Sequence, residues 1–269
     1  MTQSRLGDAK RAHKTLDLEA SKKAHSKQAI RQSLAEPSIH DSEKGQYIGD
    51  TVYGAIDGIV TTFAVVSGVA GASLSSGIVL ILGFANLFAD GLSMAVGNYL
   101  GTKSEVEYKD RERHREEWEV ENLPEEEKEE VRQIYRRKGF TGELLEKAVD
   151  VITQDKKQWV DTMLLEELHI IPERTSPVKA GAVTFVSFVV AGFVPLLSYV
   201  LSYSIPFFAD FAYPVAVVLT FATIFAVGSL RVFVTGKRWW TSGLEMLLVG
   251  GATAVVAYFI GYLLRGLAH

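Results

Sequence analysis

Residues 86–98 (NLFADGLSMAVGN) carry Asn86, Asp90, Met94 and Asn98 at intervals of four within an otherwise apolar stretch. On a helix, that interval lines all four along one face. A second stripe runs through residues 50–61 (DTVYGAIDGIVT), where Asp50, Gly54, Asp57 and Thr61 are 4, 3 and 4 apart. A carboxylate at mid-bilayer costs about 2.5–3.5 kcal/mol on insertion scales and rarely faces lipid. Neither stretch contains a Lys or Arg to pair with Asp57 or Asp90. Two readings follow. The acids are protonated or capped by Thr, Ser and Asn for packing, or they line a wet path for a cation or a proton. Carboxylate and amide oxygens alone suit Mg²⁺ or Ca²⁺, whereas a thioether is acceptable to softer late first-row metals. Met94, one turn from Asp90, tilts the path toward Fe²⁺, with Mn²⁺ less favoured. A methionine alone in an apolar helix is ordinary core packing, so its weight comes from its neighbours.

A second group of ligand-type residues lies between positions 105 and 130, which hold thirteen acidic and five basic residues. Such runs are often no more than solvated helix faces. Spacing sharpens the picture: Glu116/Glu119 and Glu127/Glu130 are i, i+3 pairs, and Met163/Glu167 is an i, i+4 pair. Three helices each presenting two ligands inward would build a multinuclear divalent-metal site, much as carboxylate-bearing bundles do. Glu126/Glu129 and Glu112/Glu116 satisfy the same spacing. The Glu-x-x-His spacing of di-iron bundles occurs once, at Glu166/His169, where such bundles use two, and His114 and His169 read as solvated helix residues.

These residues have to be carried by particular elements. Hydrophobic residues make up 48% of the 269, yet 22% are charged, because the two kinds are segregated along the chain. Five stretches, near 51–73, 77–101, 180–202, 212–234 and 242–265, are long enough to cross a bilayer. The first two are joined by a short uncharged turn (SLSS), and Pro195 and Pro214 mark local kinks in later spans. Tyr199, Tyr203, Phe207, Phe208, Trp239, Trp240 and Tyr262 suit an interfacial belt. The second span continues without a breaker into the acidic run. Pro124 opens a second helix that ends at Gly139, and residues 141–170 form a third, capped by Thr141. The fold class is an all-α membrane protein of five transmembrane helices with a three-helix cytoplasmic insert between spans 2 and 3. Its divisions are a polar, mildly basic tail (1–46, disordered or loosely helical), a transmembrane hairpin (47–101), the Glu-rich insert (102–179) and spans 3–5 (180–269). Arg231, Lys237 and Arg238 fall in one connection, while SLSS and SYSIPFFADFAY have no Lys or Arg. The positive-inside rule therefore puts the N-terminus and insert in the cytoplasm and the C-terminus on the far side. Glu245 is expected to pair with one of those three basic residues in a structural role. The absence of cysteine excludes disulfides and thiolate chemistry, and no apolar signal-peptide core is visible at the N-terminus.

The combination of DGIVTT around Asp57, SMAVGN around Met94, a Glu-rich insert and three further spans resembles the vacuolar iron transporter family over residues 46–268. The resemblance implies a homodimer whose ion path runs between subunits, built by the first two spans, and Fe²⁺ export from the cytosol driven by H⁺ moving the other way. It implies that Asp57 and Met94 are ligands within the membrane, with Asp50 near the cytoplasmic mouth. Glu116, Glu119, Glu127, Glu130, Met163 and Glu167 would form the cytoplasmic metal site. Asp90, Asn86 and Asn98 would belong to the transport path and its proton coupling. Two positions depart from the plant pattern: Asn98 stands where plant members tend to have Glu, and Asp90 where they have a small residue. DGLSMA looks like a bacterial subgroup, so the membrane is the cell membrane if the source is bacterial and a vacuole-type membrane if it is eukaryotic. The expectation is a secondary transporter rather than an enzyme. It would hold no permanent cofactor and take Fe²⁺ as substrate, with Mn²⁺, Zn²⁺ or Co²⁺ substituting at the cytoplasmic site. Its partners are metal ions, protons, lipid and a second copy, with no nucleic acid. A Mn²⁺ transporter of the same mechanism and a membrane-anchored iron-binding protein or ferroxidase are the alternatives.

Overall fold

The computed structural model describes residues 5–35, 47–171, 175–230 and 238–267, and among them it is entirely helical, without strands. It divides into two units, Met1–Gln46 and Tyr47–His269. Among its described residues the first carries α1 (Arg5–Thr15), α2 (Leu18–Ala24) and α3 (Lys27–Ala35). Asp17 starts α2 by accepting the Ala20 amide at 2.9 Å, the usual role of an N-cap carboxylate.

The second unit begins with α4 (Ile48–Gly71) and α5 (Ser76–Asn122), joined by the tight turn at residues 72–75. α5 is 47 residues long, about 70 Å at 1.5 Å per residue. Its first half is apolar and its second half charged, with no interruption between them. After the insert come α9 (Pro177–Gly192), α10 (Val194–Leu201), α11 (Pro206–Leu230) and α12 (Trp239–Leu264). The insert's own helices are α6 (Pro124–Arg137), α7 (Gly142–Thr153) and α8 (Lys156–Glu166). Four helices are long and apolar enough to cross a membrane, and a fifth span results if α9 and α10, bent by 44°, are taken together. Pro195 sits at the bend, where its missing N–H cannot continue the α9 ladder. Pro214 similarly displaces Phe211 from helical geometry (φ −119°, ψ 19°) within α11.

α4 holds the bundle together. Ile59, Phe63 and Val66 on one of its faces are buried in the core. Gly58 brings the α9 backbone so close that a Cβ would lie 2.3 Å from the Phe188 carbonyl oxygen. On another side, Gly261 of α12 approaches the Gly68 carbonyl equally closely, at 2.0 Å for a built Cβ. Membrane helices associate through such small-residue contacts because lipid offers no hydrophobic drive between them. Outward-facing Leu248, Val255, Phe259 and Leu263 are exposed, as lipid-facing side chains must be. Tyr199, expected at an interface, is instead 4% exposed and packs in the core.

The insert corrects the expectation of three helices. Residues 141–170 make two, α7 and α8, because the Asp155 carboxylate accepts the Gln158 amide at 2.8 Å and starts a new helix. Thr141 stands at the N-cap of α7 in extended geometry but makes no side-chain capping bond. Val131, Val149 and Val160 form the centre of the insert's apolar core. Arg113 of α5 reaches Asp161 of α8 at 2.5 Å, and Arg132 of α6 reaches Glu146 of α7 at 2.9 Å. Arg231 and Lys237, named for Glu245, lie outside the described residues.

Gly58→Ala forces a methyl against the α9 backbone, which has no side chain to move aside. It should lower stability by about 1–3 kcal/mol, measured by thermal melts in detergent. Gly77→Ala meets only ordinary contacts, the Tyr203 hydroxyl at 3.7 Å and Ser75 Oγ at 3.9 Å, and should melt like the parent chain. Equal stability of the two variants would contradict the tight α4–α9 contact.

Candidate metal sites in the membrane and in the insert

The two intramembrane stripes meet in antiparallel register. Asn98 of α5 donates to Asp50 of α4 at 2.9 Å. Two turns further along, Asp57 and Asp90 come close enough for their carboxylates to repel one another. The register follows from the short turn at 72–75, which folds α5 directly back along α4. Both aspartates are half-buried, and among the described residues neither carboxylate has a hydrogen bond or ion pair. Asn86, one turn beyond Asp90, keeps its amide nitrogen buried and unbonded. Met94 is half-buried and packs against the core that contains Phe63, Leu87 and Phe188, so its side chain contributes to packing in this state.

The end near Asp50 is closed by a polar knot. Asn98 donates also to Thr184 Oγ1 of α9 at 2.7 Å and lies 3.3 Å from the Ala180 carbonyl. Thr184 in turn donates to Ala180 at 3.0 Å, and Thr102 reaches the Asn98 carbonyl oxygen at 3.4 Å. Asn98 can donate where a carboxylate could only accept, so it ties Asp50 to α9 rather than repelling it.

In the insert, the chain reverses through Leu123 alone, and Pro124 occupies the first turn of α6. The last turns of α5 therefore face the first turns of α6. Glu116, Glu119 and Glu127 each bring a carboxylate oxygen within 4.8 Å of the others. Glu116 is fully buried and Glu127 is 5% exposed, and each has one buried oxygen without a hydrogen-bond partner. Glu130 adds its charge to this group and shares a hydrogen bond with Glu167. Met163 is fully buried in the insert's core beside Val120 and Val131, the residues next to Glu119 and Glu130. The competing pairs separate out. Glu129 is exposed and bound to Arg132 and Gln133, whereas Glu112 is held by Arg111 at 2.8 Å and Arg115 at 3.1 Å.

Electrostatics mark the same residues. Burial pushes the Glu127 carboxyl up to about 7, and the charges of Glu130, Glu116, Glu119 and Glu167 add to it. Burial also raises Glu167 to about 7, reinforced by Glu130 and Glu116. Glu116 is raised by burial, against the opposing pull of Arg115. Arg115 escaped the sequence analysis, where it is one arginine in a mixed-charge run. Its position three after Glu112 and four before Glu119 was the available signal. Chemically, three converging carboxylates, two of them buried with an unpartnered oxygen, suit a hard or borderline divalent cation.

The pH dependence follows from these shifts. Carboxyls whose folded values exceed their unfolded values stabilise the fold at low pH, and that stability is lost as pH climbs through the folded value. Between about pH 5 and pH 8, the metal-free protein in chelator should therefore melt at falling temperature as Glu127 and Glu167, both near 7, ionise. Glu127→Gln should flatten part of that decline, and a divalent metal added at pH 8 should restore the melting temperature. A melting temperature that rises across this range would rule out the assignment.

The sequence matches the VIT family model over residues 48–262. A vacuolar iron transporter of Toxoplasma gondii is 36% identical, covering 97% of this chain and 88% of that protein. One of Plasmodium berghei is 32% identical over 98% of each chain. Vacuolar iron transporter 1 of Arabidopsis thaliana is 33% identical over 81% of this chain and 88% of its own. Coverage of 97–98% necessarily takes in most of residues 1–46, which the resemblance drawn from motifs left out. With the family's model spanning both polar stripes, the acidic insert and the later apolar helices, the chain belongs to the VIT family.

Proposed function

We propose that the protein is a metal-ion transporter that moves Fe²⁺ from the cytosol to the far side of its membrane in exchange for protons. The observation that carries this is the cluster of Glu116, Glu119 and Glu127, with its unpartnered buried oxygens, two of whose members, Glu116 and Glu119, stand on the same unbroken helix as Asp90 and Met94. Glu116 lies eighteen residues beyond Asn98 on α5. That is five turns, so both face the same way about 27 Å apart. An ion gathered at the insert is thereby lined up with the mouth of the stripe. The relatives named as vacuolar iron transporters favour iron as the cargo.

In this mechanism the insert, on the cytoplasmic side, concentrates Fe²⁺, with Glu130, Glu167 and Met163 completing its coordination. Passage requires Asn98 to release Asp50, after which the ion reaches Asp57 and Met94. Proton binding at Asp57 or Asp90 from the acidic side neutralises the carboxyl and removes most of its affinity for metal. A second copy of the chain would complete the path. Ala85, Ala89, Ser93, Gly97 and Gly101 recur every four residues along an exposed face of α5. Gly97 and Gly101 have nothing within 4 Å of a built Cβ, which leaves room for close approach by another helix.

Proteoliposomes loaded with a pH dye test the coupling. Asp57→Asn should abolish metal-driven proton flux, and flux at the parental rate would remove Asp57 from the mechanism. Met94→Leu should reduce Fe²⁺ transport more than Mn²⁺ transport, since only the softer ion gains strongly from sulfur. Equal losses would end the argument for selectivity by the thioether.

A further inference from the structure

Arg115 is the one cation, among the described residues, in hydrogen-bond contact with the acidic cluster. Its two terminal nitrogens donate to Glu116 Oε1 at 2.8 Å and Glu119 Oε2 at 2.9 Å. Those are two of the three carboxylates whose oxygens converge. The third nitrogen, Nε, donates to Glu112 Oε2 at 3.1 Å. Glu112 lies one turn back and is itself anchored by Arg111 through Oε1 at 2.8 and 3.1 Å. The Arg115 side chain is 43% exposed, whereas those of Glu116 and Glu112 are 1% and 13% exposed. The carboxylates are thus fixed, and the guanidinium has a way out to water.

We infer that Arg115 is a displaceable internal cation. It occupies Glu116 and Glu119 while the cluster is empty and swings back onto Glu112 when a divalent metal ion enters. The inference rests on reading the cluster as a metal site. A divalent ion bound by Glu116 and Glu119 needs the same lone pairs that the guanidinium now uses. The two cations also repel each other at a separation of a few ångströms. Glu112 holds the arginine through Nε during the exchange, so only the two terminal hydrogen bonds have to break. The arginine keeps the buried carboxylates from standing wholly without countercharge, and by competing it lowers the affinity of a site that has to give its ion up. Glu127 and the second oxygen of Glu116 stay unpaired, which leaves a point of entry for the incoming ion before the arginine departs.

The test is calorimetric titration of Mn²⁺, a redox-stable probe, into the full-length protein in detergent at pH 8. Arg115→Gln should bind Mn²⁺ at least about tenfold more tightly, because two charge-assisted hydrogen bonds no longer have to be broken. Arg115→Lys, which keeps the charge without the fork, should fall between the two. Glu112→Gln should weaken binding in the parent chain, because the arginine loses its alternative partner. It should have a smaller effect in the Arg115→Gln background, whereas simple loss of a nearby negative charge would act equally in both. A purely structural arginine would give weaker binding on substitution, and that result, or an unchanged affinity, overturns the inference. Glu127→Gln separates the two levels. If it abolishes binding while Arg115→Gln changes nothing, the metal site stands and the displaceable cation falls. If it changes nothing, both fall.

Discussion

A carboxylate removed from water requires compensating charge or hydrogen bonds, and the number of such groups in this protein exceeds the number of partners supplied. Asp50 receives an amide from Asn98, and Glu116 and Glu119 share a single arginine. Asp57 and Asp90 have no hydrogen bond or ion pair among the described residues, and Glu127 keeps an unpaired oxygen. A stable fold tolerates this only where the charge can be removed by a proton or balanced by an ion. Both outcomes are the business of a transporter, so the same deficit that weakens the empty protein supplies the attraction for its cargo.

One helix spans the two environments in which that deficit is expressed. In lipid every backbone group has to be bonded internally, so α5 cannot bend freely between Ser76 and the membrane surface. Beyond the surface the constraint is lifted, yet the helix continues to Asn122. There, i, i+4 pairs such as Lys109–Glu105 and Arg115–Glu119 support the exposed turns. A continuous α-helix transmits position and facing angle over its whole length. Glu116 and Glu119 of the acidic cluster and the stripe through Asp90 are consequently parts of one helix, and the insert is anchored at the correct height by the span itself.

The membrane half and the insert achieve close packing in opposite ways. Around α4, helices touch backbone to backbone through Gly58 and Gly261. In the insert, an apolar core of branched side chains is surrounded by ion pairs that join successive helices, such as Lys128–Asp150 at 2.8 Å. Water supplies a hydrophobic drive for the second arrangement and lipid does not for the first. The division also separates tasks: the glycine-packed bundle resists displacement, while the insert carries buried charge that an ion or a pH change can alter.

The sequence by itself determined the elements. Apolar runs of bilayer length, the i+4 stripe through Asp90 and Met94, and the unbroken passage from span 2 into the acidic run are local patterns, and local patterns survive without tertiary information. It also reached the carboxylates of the cluster, though not uniquely. Glu112, Glu126 and Glu129 fit the same spacing, and only the one-residue reversal at Leu123 chose among them by turning Glu116 and Glu119 toward Glu127 and leaving Glu129 on the outside. The break at Asp155 is a local capping signal that the helical periodicity of residues 141–170 overrode; tertiary structure alone decided the Asn98–Asp50–Thr184 knot and the place of Arg115 among the glutamates. Each depends on groups from different helices, or on competition between neighbours in a charged run. Periodicity reports which face a residue lies on, and says nothing of what that face meets.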